Sequence, residues 1–151
     1  MMITMFELNS SHNNKVTPPQ QILPILGKVK EVYLIWYKFY QDIPKSHRHS
    51  LGQRIDILFI EIIEAISAAG FLGIEEKRPY VRLAIKKMDT LRVLLLVLWE
   101  TGSLENKKYI ALSLPLDKIG KMLGGWNGQI TKAIEELKKQ NQPPHKEKGW
   151  K

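Results

Sequence analysis

Apolar residues recur at steps of three and four along most of the chain, the spacing that lines up one face of an α-helix. The chain is organised around Tyr80–Trp99, where Val81, Ala84, Ile85, Met88, Leu91, Leu95 and Leu98 form such a stripe. Arg78, Arg82 and Lys86 sit four apart on a face turned away from it. One helix therefore offers one side to a core and another to anions. Three further periodic segments supply its partners. The first starts near Leu23-Pro24, because proline loses nothing in a first helical turn, and carries Ile25, Val29, Val32, Trp36 and Phe39. It ends by Ile43, since Pro44 disfavours helical geometry in the residue before it. The second runs from the connector to about Ala69 on Leu51, Ile55, Leu58, Ile62, Ile66 and Ala69, with Gln53, Asp56, Glu61 and Glu64 outside. Ser46 or Ser50 is placed to cap it. Gly70 and Gly73 mark a turn. Glu75 and Glu76 then precede the third helix, where negative charge suits the helix dipole.

The fourth helix starts around Leu104 on Tyr109, Leu112, Leu116, Ile119, Leu123 and Trp126. Pro115 interrupts it at a cost of about 3 kcal/mol, which predicts a kink or a split. Gly124-Gly125 ends the regular pattern and turns the chain so that Trp126 covers the bundle end. A short amphipathic helix on Ile130, Ala133, Ile134 and Leu137 follows. No stretch alternates as a strand would. The expected fold is all-α, an antiparallel up-down four-helix bundle. Its organisation is a flexible arm over 1–21, the bundle over 22–126, and a short helix with a disordered basic tail over 127–151.

Charge changes this picture more than composition does. Lys and Arg total 23 against 15 Asp and Glu, a net charge of +8. That surplus favours polyanions or an acidic partner. Lys45, His47, Arg48 and Arg54 gather in the first connector and the start of the second helix; Arg78, Arg82, Lys86 and Lys87 load the early part of the third. In an up-down bundle these form two patches or one long flank. Guanidinium groups suit bidentate phosphate contact and lysines supply point charge. The competing reading is a solvated helix face with some ion pairing. With little exposed aromatic interleaving for base stacking, any binding is backbone-driven and salt-sensitive.

Catalysis finds little support. The chain has no cysteine, so disulfides and thiolate chemistry are excluded, in keeping with a reducing cytoplasm. His47 and His49 share a loop without a nearby carboxylate, and Glu61 and Glu64 lack the Glu-x-x-His partners of bundle metal sites. No enzymatic activity, cofactor or metal is expected. No apolar run reaches membrane-span length, and no secretory signal pattern opens the sequence. Tyr33, Trp36, Phe39, Phe59 and Trp99 fall at helical spacing and read as core. Leu94, Leu96 and Val97 make the third helix apolar around much of its circumference, more than one bundle buries, which predicts self-association there.

Two segments, Pro44–Ile55 (PKSHRHSLGQRI) and Leu116–Trp126 (LDKIGKMLGGW), together with the four-helix order, resemble the accessory variability determinant proteins of diversity-generating retroelements. These group with small four-helix proteins encoded in intervening sequences of large-subunit ribosomal RNA genes. The resemblance covers about Leu23 to Trp126. It implies an antiparallel four-helix bundle, a ring-like homopentamer with a basic surface, and no catalytic activity. It also implies binding to a reverse transcriptase and template RNA in support of mutagenic cDNA synthesis. Carried over residue by residue, Arg48, Arg54 and Lys121 become candidate contacts. Pro115 departs from the uninterrupted last helix of that pattern. A ribosomal-RNA-associated bundle protein and a structural protein–protein adaptor stand as alternatives. Gly52 and Gly120 permit close helix approach.

Overall fold

The computed structural model describes residues 22–142, and all regular structure among them is helical. Four long helices account for most of it: α1 (Ile22–Tyr40), α2 (Gln53–Gly70), α3 (Ile74–Glu100) and α4 (Asn106–Asn141). The predicted arm over 1–21 and the end of the tail lie outside the described residues. Neighbours run in a ring in chain order, α1 on α2, α2 on α3, α3 on α4 and α4 back on α1.

The buried residues explain this arrangement. On α3 they are Val81, Ala84, Met88, Leu91, Leu95 and Leu98, on α4 Leu112, Leu116, Ile119, Leu123, Trp126, Ile130 and Ile134. Steps of three and four fall on either side of the helical 3.6, so each buried set stays on one face of its helix and forms a seam against its neighbours. No polar or charged residue is buried among those described. Trp36 and Phe59, both fully buried, stack with ring centroids 6.0 Å apart, and Tyr33 meets Phe59 edge-on at 5.7 Å. The indole N–H of Trp36 reaches out of the core to Asp56 Oδ1 at 3.2 Å, which satisfies its polar edge.

Several sequence expectations are corrected. The first connector is not an open loop. Lys45–His47 form one helical turn that runs into a π-helical turn, Arg48–Gly52, and α2 follows directly. A helix that enters from another helical turn leaves no free amide for a serine cap, and Ser50 Oγ instead bonds back to the carbonyls of Ser46 and His47. Gly52 does permit close approach, since a Cβ there would meet the Tyr40 ring at 3.1 Å and the His47 carbonyl at 3.2 Å. At Gly120 a Cβ would meet only Arg92, at 3.7 Å, so no helix crowds it.

α3 begins at Ile74, ahead of Pro79. The Lys77 N–H bonds to the Gly73 carbonyl at 2.9 Å, and Glu75 and Glu76 lie inside the first turn. α4 runs unbroken through both predicted stops, Pro115 and Gly124-Gly125. The apolar stripe continues past the glycines to Ile130 and Ile134, and burial of that stripe outweighs local propensity. Trp126 is accordingly buried within α4, with Lys77 Nζ 5.8 Å from its ring centroid, rather than folded over the bundle by a turn. Trp99 is not core: it is 36% exposed, stacks on Tyr109 and donates its indole N–H to Asn106.

Candidate nucleic-acid interface

The predicted basic residues divide by what their side chains already touch. At the connector, Arg48 is turned inward: Nε donates to the Ile43 carbonyl and Nη2 to the Gln41 carbonyl, both at 3.0 Å. It thereby satisfies carbonyls left unpaired beyond the end of α1, a positive group at a negative helix terminus. The Arg48 carbonyl in turn accepts the Tyr40 hydroxyl at 3.0 Å. His47 Nδ1 and Ser103 Oγ share a hydrogen bond of 2.5 Å that ties the first connector to the one before α4. Lys45 beside them is exposed.

A second group is spent on Glu61. This carboxylate accepts Lys87 Nζ at 2.6 Å and Arg54 Nη1 at 3.3 Å, joining α2 to α3. Hydrogen bonding from Lys87 holds Glu61 below the ordinary carboxylate value. Partial desolvation opposes this, and the charges of Lys87 and Arg54 reinforce it.

The third group is unpaired. Arg82 and Lys86 are exposed on α3 and Arg78 is half-buried beside them, and none has a salt-bridge partner among the described residues. Steps of four place them on successive turns, displaced from the buried Val81–Leu98 seam. Lys121 is exposed on α4 and lines a cavity between α3 and α4 with Ile85, Met88, Asp89, Arg92, Asp117 and Gly120. The sequence reading missed Arg92, which pairs with Asp117 across that groove. Helical spacing could have placed Arg92 toward a neighbour, but no local signal connects it to a residue on another helix. Lys108 is likewise engaged, with Asp42 at 3.4 Å and over the Phe39 ring.

The residues predicted as an oligomer interface are spread around α3. Leu94 packs partly against the core, whereas Leu96 and Val97 are 38% and 36% exposed. Val93, Ile110 and Leu114 are exposed more fully still. Among the described residues no group of three or more acidic or histidine side chains is placed to hold a metal ion. No described helix is long and apolar enough to cross a membrane. The chain matches no family model, no curated protein and no solved structure.

Proposed function

We propose that this chain is a non-catalytic accessory protein of a diversity-generating retroelement that binds a reverse transcriptase and its template RNA. The observation that carries the nucleic-acid part is the row Arg78, Arg82 and Lys86. The fold commits Arg48, Arg54 and Lys87 to internal partners, yet leaves this row without a salt-bridge partner among the described residues. Cations held on a helix outside any ion pair attract a phosphate backbone and release its counterions. The retroelement part rests on the segments Pro44–Ile55 and Leu116–Trp126.

The architecture in this reading is an antiparallel up-down bundle. Contact order supports it: Trp99, Arg92 and Lys77 of α3 meet Asn106, Asp117 and Trp126 of α4, one number falling as the other rises. Tyr33 and Trp36 of α1 meet Phe59 and Asp56 of α2 in the same sense. Copies associate through the apolar end of α3, Leu94, Leu96 and Val97, into a homo-oligomer with the pentameric size of the family resembled. The protein works in the cytoplasm, where the transcriptase and RNA are made.

Co-purification tests the assignment. Tagged protein expressed with a reverse transcriptase encoded beside its gene is expected to retain the transcriptase at low salt. Absence of the transcriptase from the eluate, with recovery of ribosomal RNA particles instead, would favour the ribosomal alternative.

A further inference from the structure

The unpaired cations are not confined to α3. Lys121 of α4 lines a cavity with Ile85, Met88 and Asp89 of α3. Gly124 follows Lys121 by three residues, Gly128 follows Gly124 by four and Lys132 follows Gly128 by four, so these positions share one side of α4. All four are exposed, and neither lysine has a salt-bridge partner among the described residues. A Cβ added at Gly124 or Gly128, or at Gly125 beside them, would meet nothing within 4 Å.

The row Arg78, Arg82 and Lys86 stands across from this side of α4. Ile85 and Asp89 line the groove toward α4, and Arg78 and Arg82 precede them by seven residues, two turns, which places them on the same side of α3. Cavities on either side fix the level. Ile85 and Asp89 share one with Asp117 and Lys121, whereas Ile74 and Lys77 share another with Gln129 and Ala133. Arg78 and Arg82 fall between 77 and 85 on α3, as Gly124 and Gly128 fall between 121 and 129 on α4. Glu75 and Asp89 lie three residues beyond either end of the row, so its cationic length is about 12 Å at 1.5 Å per residue.

We infer, resting on the nucleic-acid reading above, that the phosphodiester backbone of one RNA strand runs along this trough. Its phosphates meet Arg78, Arg82 and Lys86 on one wall and Lys121 and Lys132 toward the ends of the other. Neighbouring helices lie about 8–10 Å apart, and side chains ordinarily fill the outer groove between them. Here the α4 wall is bare opposite the two arginines, so a phosphate can approach both walls at once. The helical amides of Gly124 and Gly128 are spent within α4, so the glycines contribute room and the cations contribute attraction. Contacts of this kind hold the backbone without reading bases. The contact between copies at Leu94, Leu96 and Val97 begins two turns beyond Lys86 and does not include the trough.

Filling the trough separates room from charge. Gly124→Gln/Gly128→Gln leaves the net charge unchanged, and glutamine is the better helix former, so the pair is expected to raise the thermal midpoint. Its affinity for a fluorescent oligouridylate at about 100 mM salt is expected to fall about tenfold, with a shallower salt slope. Gly124→Ala/Gly128→Ala gains helix stability with little bulk and is expected to bind within about twofold of wild type. Gly27→Gln on α1, where an added Cβ likewise meets nothing within 4 Å, is expected to leave affinity unchanged. A glutamine pair that binds as tightly as wild type, or loses no more than the alanine pair or Gly27→Gln, would overturn the inference and leave the row of α3 as the binding surface. Oligouridylate that fails to bind wild type would instead overturn the nucleic-acid reading beneath it.

Discussion

Glu61 is the side chain on which two cations converge, and its ion pairs give the molecule a defined acid sensitivity. Because Lys87 and Arg54 hold its folded pKa below the ordinary carboxylate value, the folded state binds its proton later than the unfolded chain does. The stabilisation is therefore complete above the ordinary carboxylate value and is lost as pH falls through the lowered one. Glu61→Gln is expected to lower stability at neutral pH, with the gap from wild type closing in acid. Urea midpoints across pH 3–7 (roughly the carboxylate range) check this. A gap that is constant with pH would assign the effect to packing. The side chain is about one-third exposed, so the effect is modest. Trp36 shows the opposite balance, since its energy comes from burial and its one bond to Asp56 only avoids a penalty.

α4 carries its proline within an unbroken helix. Pro115 cannot donate to the carbonyl one turn back, and its ring crowds that turn. The helix persists because Leu112, Leu116 and Ile119 are buried on either side of it. Pro115→Ala restores the missing bond and is expected to raise stability by about 1–3 kcal/mol, a thermal midpoint several degrees higher. A lower midpoint would show that the core requires the local distortion. The four seams were legible in the sequence because each buried position repeats at helical spacing, from Ile25 to Leu123. The ends were less so. Pro44, Pro79, Pro115 and Gly124-Gly125 all signal breaks, yet Pro79, Pro115 and the two glycines lie inside helices, because tertiary burial supplies more than local propensity removes. For the candidate interface, the row Arg78–Lys86 could be read from spacing alone. The inward turn of Arg48 and the pairing of Lys87 with Glu61 could not, since both depend on what packs alongside.

The molecule as a whole is a bundle whose core is uniformly apolar and whose cations fall into two classes, those tied to internal partners and those left to solvent. That division makes the charge argument specific. Removing Arg48 or Lys87 disturbs the fold, whereas removing Arg82 or Lys86 changes chiefly the field that polyanions meet. Affinity for single-stranded RNA as a function of salt, by fluorescence anisotropy on wild type and on Arg78→Glu/Arg82→Glu/Lys86→Glu, separates the two. We expect log K to fall linearly with log salt for wild type. The triple variant should lose more than tenfold in affinity at about 100 mM salt, with a slope shallower by about two, near 0.7 per lost phosphate contact. A triple variant that keeps its helicity and binds RNA with the wild-type affinity and slope would contradict the account.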